Sequence, residues 1–217
     1  MLYQELIDPR ITESKQMLYC PGIPGAGKTI LSATVIDHLH EQFLSNPDVG
    51  VAYLYCNFRR HDTQKAEDLV RNVLKQLASA RPALPDSVKT LYSEGRSPSL
   101  DRISTALQSV VAEYSKVYVV VDALDECTPS EDCRGRFLAR LFDLHSAAGV
   151  SIFVTSRLIP DIMEKFEGFA SLDIRASKVD VGWYLQGHMS ELMPFVASRK
   201  DMQDNIVTAI SDAADGM

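Results

Sequence analysis

No stretch of this 217-residue sequence approaches the roughly 18 consecutive apolar residues that a membrane span needs. The opening Met1-Leu2-Tyr3-Gln4-Glu5 also lacks the basic and apolar segments of a secretion signal, so the expected compartment is the cytoplasm. Basic excess is missing too: 22 Lys and Arg stand against 29 Asp and Glu, a net charge of -7. That balance argues against a general nucleic-acid binder, because phosphate backbones are drawn to basic faces, and leaves room only for a local basic groove. Cysteine is scarce, at four residues. Cys20 and Cys56 fall in apolar, strand-like runs, while Cys127 and Cys133 have no second pair of ligands at zinc spacing. All four read as free thiols in a reducing compartment. No internal repeat or low-complexity stretch is visible.

What is present is a chain that is 46% apolar, enough to bury a full core as one large domain or one domain with a small appendage. Two hydrophobic patterns alternate. Short β-branched or aromatic runs without polar interruption read as strands buried on both faces: Gln16 to Cys20, Val51 to Cys56, Val117 to Asp122, Val150 to Thr155 and a weaker Ala170 to Ile174. Between them lie segments with apolar residues three and four apart. Ala66, Leu69, Val70, Val73, Leu74 and Leu77 share one helix face, and Ile103, Ala106, Val110, Val111 and Tyr114 another. Pro82, Pro85 and Pro98 punctuate the link between these two helices. Phe137, Leu138, Leu141 and Phe142 mark a later helix, and Pro160 sits where a first helical turn begins. The class is therefore α/β. After Lys178 the strand pattern stops, and helices through Trp183, Leu185, Met189 and Leu192 and from Asp201 to Ala214 form a small appendage. The expected division is 1–175 for the main domain and 176–217 for the helical part.

The most specific signal follows the first strand. Gly22-Ile23-Pro24-Gly25-Ala26-Gly27-Lys28-Thr29 matches G-x-x-x-x-G-K-[ST], with the helix-like Ile30 to His40 behind it. Glycines at 22, 25 and 27 allow positive φ and close approach, so amides from Gly25 to Thr29 can converge on a β-phosphate at a helix N-terminus. Lys28 would bridge the β- and γ-phosphates and the Thr29 hydroxyl would bind Mg²⁺. The candidate nucleotide-binding residues are Gly22, Pro24, Gly25, Ala26, Gly27, Lys28, Thr29 and Ile30. A glycine-rich strand-to-helix turn is the bland alternative, and the strand and helix on either side weigh against it.

A P-loop needs a second strand ending in a carboxylate that holds the metal through water, and Val117 to Asp122 supplies one. Asp122 is thus a metal candidate with Thr29. Asp125 and Glu126 follow, and either could orient the water that attacks the phosphate. The fourth strand ends in Ser156-Arg157, whose guanidinium could reach a γ-phosphate. Candidate catalytic residues are accordingly Lys28, Asp125, Glu126 and Arg157. Arg59, Arg60 and His61 would also lie at the carboxyl edge, where open α/β sheets bind ligands, but read more simply as a charged loop.

These three stretches, Cys20 to Thr29, Val119 to Glu126 and Ile152 to Arg157, resemble the NACHT domains of signal-transducing STAND NTPases. The likeness is closest to the nephrocystin-3-like P-loop domain of fungal NOD-like receptor proteins. The resemblance implies a P-loop three-layer sandwich with a five-stranded parallel sheet in the order 5-1-4-3-2. It implies Lys28 and Thr29 as Walker A, Asp122 as Walker B, Asp125 and Glu126 as the acidic pair, and Arg157 as sensor 1. Ala123 stands where many relatives of this sheet order carry glutamate, and the acids come three and four residues after Asp122, as in NACHT sequences. The resemblance further implies ATP/ADP with Mg²⁺ as ligands, and a switch in which exchange of ADP for ATP drives homo-oligomerisation and activates flanking effector and repeat domains. Members normally continue into a winged helix, so the expectation is a fragment that holds ADP less tightly than a complete relative.

Three functions remain in play: a slow NTPase acting as a regulatory switch, a nucleotide-binding scaffold with negligible turnover, and a P-loop kinase. The kinase would want an arginine-rich lid, and between 128 and 150 only Arg134, Arg136 and Arg140 occur, at the spacing of a solvated helix face.

Overall fold

The computed structural model describes residues 16–57, 65–93, 97–127, 133–175 and 178–213. Five parallel strands make one sheet: β1 (Met17–Pro21), β2 (Val49–Tyr55), β3 (Lys116–Asp122), β4 (Ser151–Ser156) and β5 (Ala170–Ser171). Their spatial order is β2-β3-β4-β1-β5, the expected 5-1-4-3-2 read from the other edge. Helices α1 (Lys28–Phe43), α2 (Ala66–Ser79), α3 (Asp86–Ser93), α4 (Leu100–Val111), α5 (Cys133–Ala148) and α6 (Pro160–Lys165) fill the connections. Beyond β5 come α7 (Lys178–His188), a short 3₁₀ turn (Met189–Glu191), α8 (Pro194–Ala197) and α9 (Lys200–Ala213).

The central strands β1, β3 and β4 bury both faces because their side chains alternate between two separate cores, whereas the edge strand β2 buries one face and exposes Tyr53 and Tyr55 on the other. Val117, Val119 and Val121 face a large core shared with α2, α4, α5 and α6, whereas Tyr118 and Val120 face a smaller one with Val35, Ile36 and Leu39 of α1. One sheet between two helical layers is the expected three-layer sandwich. The α2 face read from periodicity, Ala66, Leu69, Val70, Val73, Leu74 and Leu77, is buried in full. Pro160 opens α6, where its fixed φ suits the helix and its missing N–H costs no bond.

Strand register decides what gathers at the carboxyl edge. Tyr55 pairs with Asp122, and Pro21 with Ser156, so the loop leaving β1 meets the ends of β3 and β4 at one level. The fifth strand is shorter than expected, but its ladder runs on: Leu172 N–H donates to Tyr19 O at 2.9 Å and Ile174 N–H to Pro21 O at 2.7 Å.

The four cysteines are free and buried. Burial pushes the thiols of Cys20 and Cys133 up to about 12 and about 11, and the neighbouring Cys127 sulfur together with burial raises that of Cys56. All three are held as thiols, in keeping with packing rather than reactivity. Among the described residues no helix is long and apolar enough to cross a membrane.

Candidate nucleotide site

The loop from Gly22 to Gly27 turns the chain from β1 into α1, and its glycines serve different ends. Gly25 and Gly27 have φ of 83° and 90°, the left-handed region that glycine enters without steric cost. Gly22 is not in that region and serves the close approach instead. A Cβ there would sit 2.7 Å from the Ile174 carbonyl oxygen, so Gly22 is needed for the bridge to Ile174 beyond β5.

Gly27 is the N-cap of α1, and no side chain caps the helix start or places a carboxylate in its first turn. The first amides of α1 are thus left to another acceptor, and the partial positive charge of the helix end makes an anion the favoured one. Lys28 Nζ donates to the carbonyls of Gly22 and Ile23, each at 2.8 Å. Burial lowers its pKa, while the charges of Asp125 and Asp122 pull in the opposite direction.

Asp122 ends β3 with only 3% of its surface exposed. A carboxylate so buried needs donors, and three hydroxyls supply them. Thr29 Oγ1 donates to Oδ2 at 2.8 Å, and Ser32 Oγ and Thr155 Oγ1 both donate to Oδ1 at 2.7 Å. The two metal candidates therefore stand in contact although they lie 93 positions apart in sequence. Ser32 and Thr155 were not among the residues picked out from the motifs. Their signal is faint: Ser32 lies three residues after Thr29 on the same helix face, and Thr155 looks like any strand threonine.

Beyond Asp122 the backbone bends sharply. Ala123 has φ 54° and ψ 48°, a left-handed conformation uncommon for a residue with a Cβ. Its N–H donates to Thr155 Oγ1 at 3.0 Å, and its carbonyl accepts from Glu126 N–H at 2.8 Å, closing the 3₁₀ turn Leu124–Glu126. The bend drops Leu124 into the core at 0% exposure and leaves Asp125 and Glu126 on the cleft wall.

Arg157 lies against Asp125. Its backbone N–H donates to Oδ1 at 2.9 Å and its Nε to Oδ2, and the pairing raises the guanidinium pKa further. The Arg157 side chain is 52% exposed while that of Asp125 is 2% exposed. Both oxygens of Asp125 are thus engaged.

Together these residues form a cleft of about 480 Å³, walled by Pro24, Gly25, Gly27, Lys28, Thr29 and Ile30 on one side and by Asp122, Asp125, Glu126 and Arg157 on the other. Gly22 and Ala26 are not among its walls. Arg59, Arg60 and His61 lie outside the described residues. Arg136 pairs with Glu67 and Arg140 with Asp101 and Asp143, so two of the three lid candidates bind helices α2, α4 and α5. A larger apolar hollow of about 600 Å³ beneath α3 shares no residue with the cleft and offers it no chemistry.

The donor set fits magnesium. Thr29 and Asp122 give hard oxygen donors, and among the described residues no group of three or more His, Cys, Asp or Glu forms an all-protein cage. Magnesium is held in this sparse way, by one or two protein oxygens with the rest from phosphate and water.

Loop, buried acid and sheet order define a P-loop nucleotide-binding module. The chain belongs to the family described as Nephrocystin 3, N-terminal, whose model matches residues 3–157. The resemblance carried by the three motifs is borne out. Over 224 residues the chain is 24% identical to the vegetative incompatibility protein HET-E-1 of Podospora anserina, covering 94% of this chain and 16% of that protein. Among solved structures, it resembles a Walker-type ATPase of Pyrococcus abyssi with TM-score 0.58 and 13% identity, over 99% of this chain and 63% of that one. It also resembles the ORC2 protein of Aeropyrum pernix in ADPNP and ADP complexes, with TM-score 0.55 and 15% identity, over 87% and 50% of the two chains. At these identities the two structures speak to the fold alone.

Proposed function

We propose that this chain is the nucleotide switch of a longer signalling protein, binding ATP or ADP with Mg²⁺ and hydrolysing ATP slowly. The observation that carries the reading is the 2.8 Å contact between Thr29 and Asp122 at the mouth of a cleft that also holds Lys28 and Glu126. Phosphate oxygens would take the uncapped amides of α1 and the Lys28 ammonium. Bound magnesium would supply charge neutralisation at the β- and γ-phosphates, held by the Thr29 hydroxyl and, through water, by Asp122.

The acids divide by their surroundings. Asp125 has both oxygens on Arg157, so it acts as a positioning residue for that arginine, which sits at the cleft rim to meet a γ-phosphate. Glu126, which lines the same cleft, is assigned the role of orienting the attacking water. Slow turnover is supported by Ala123, which occupies the position directly after Asp122. The preference for ATP over GTP follows the family resemblance.

The helices after β5 are proposed as a separate unit over 176–217, with 1–175 as the nucleotide-binding domain. The HET-E-1 protein is a vegetative incompatibility protein of which this chain spans a small part. By analogy, effector and repeat domains flank the module in the full-length protein and oligomerisation is its output.

Phosphate release tests the reading. Lys28→Ala should abolish magnesium-dependent uptake of ATP. Glu126→Gln should keep uptake and lose turnover by about 10²-fold or more, the usual worth of a positioned acid or base. Asp125→Asn should weaken turnover less, through Arg157. Uptake with indistinguishable near-zero rates in wild type and both acid variants would favour the scaffold reading; no uptake of any nucleoside triphosphate would end both.

A further inference from the structure

We infer that Ser32 and Thr155 are positioning residues for metal binding, fixing the Asp122 carboxylate so that its Oδ2 is presented to Thr29 and the cation. The inference rests on the nucleotide-binding reading above and adds two residues to it.

Asp122 has four lone-pair positions on its two oxygens. Two hydroxyls, from Ser32 and Thr155, both donate to Oδ1 at 2.7 Å, and both of those hydrogen bonds are buried. Oδ2 receives only the Thr29 hydroxyl among the described hydrogen bonds, at 2.8 Å. The carboxylate is thereby held in one rotation, with Oδ1 turned into the protein and Oδ2 toward the loop. Without the two donors only the Thr29 hydrogen bond would orient the group, and the Oδ1 lone pairs would be buried with no partner. Thr29 benefits in turn: donating its hydrogen to Oδ2 leaves its oxygen lone pairs for a cation.

Among the described hydrogen bonds, the Ser32 hydroxyl has Asp122 as its one partner. Ser32 is 0% exposed on the α1 face that otherwise carries Val35, Ile36 and Leu39, where an alanine would satisfy packing. Thr155, also 0% exposed, does two things with one oxygen. Its hydroxyl donates to Asp122 and accepts the Ala123 N–H at 3.0 Å, fixing the left-handed bend that places the acids. It also lies two residues before Arg157, so the end of β4 ties metal carboxylate, acidic turn and arginine into one rigid corner. Hydrogen-bond partners behind a metal ligand are commonly worth about 10- to 100-fold in metal affinity.

The test is a magnesium chloride titration of a fluorescent, non-hydrolysable ATP analogue, followed by binding, for the full chain. Ser32→Ala and Thr155→Val should each raise the half-saturating magnesium concentration by about tenfold or more. Their affinity for the nucleotide in excess chelator should stay at the wild-type value. Thr155→Ser, which keeps the hydroxyl, should restore the midpoint. Thr34→Val, whose hydroxyl bonds Ile30 O on the exposed side of α1, should leave it unchanged. Wild-type magnesium midpoints in both Ser32→Ala and Thr155→Val would overturn the positioning role while the nucleotide reading stands. Should Thr155→Val fail to fold, Ser32→Ala decides. If the wild type takes up no nucleotide, the reading beneath falls and this inference with it.

Discussion

A methyl group at Gly22 would meet the Ile174 carbonyl oxygen at 2.7 Å and its Cβ at 3.1 Å, whereas one at Gly27 would meet nothing within 4 Å. The two glycines of one motif thus predict opposite phenotypes. Gly22→Ala must push the chain after β5 away and should lower the melting temperature, with the loop conformation otherwise intact. Gly27→Ala should cost about 1–2 kcal/mol of left-handed strain, and on the proposed nucleotide reading the methyl group would crowd a phosphate at the α1 amides. It should therefore lose nucleotide uptake out of proportion to its stability. Calorimetric melts paired with uptake measurements separate the two; equal losses of both in both variants would contradict it. The motif itself was legible in residue order. The reason for its first glycine was not, since Ile174 lies far along the chain and nothing local marks it.

Among the elements, α2 was the most readable, because a helix packed on a sheet repeats its apolar residues at its own turn. Leu77 and Val73 are both at 0% exposure in the larger core, and Gly50 of β2 leaves the gap into which Leu77 fits. Leu77→Ala should cost about 2–5 kcal/mol, the range for truncating a buried leucine. For a domain of this size each kcal/mol lowers Tm by about 2–4 °C. Leu84, in the link before α3 and 49% exposed, should by contrast tolerate alanine within about 0.5 kcal/mol. Thermal melts of the two variants check this; a large loss at Leu84 would show that the hollow beneath α3 is tighter than its walls indicate. β5 was read as five residues and pairs as a strand over two, because an edge strand with one neighbour carries a weaker apolar signature than a central one.

On the scale of the whole molecule, the sheet and its six helices close two cores, while the helices after β5 keep much of their apolar surface outside. Trp183, the sole tryptophan, is 69% exposed, and Tyr184, Met193 and Phe195 are likewise exposed. Trp183 emission should accordingly be that of a solvated indole, open to an aqueous quencher. It should not respond to magnesium and nucleotide if 176–217 is the separate unit proposed. A blue-shifted, protected indole would place that segment against another surface. The sequence by itself determined the α/β class, the phosphate loop and the acid at the end of β3, because each is written in spacings a few residues long; the strand order was implied only by the family resemblance of its motifs. Only the tertiary structure decided that Ser32 and Thr155, 90 and 33 positions from Asp122, would hold its carboxylate, and that Arg157 would sit on Asp125. Those contacts come from strand register and from a left-handed bend at an alanine, and a hydrogen bond between distant residues leaves no periodicity for a sequence to display.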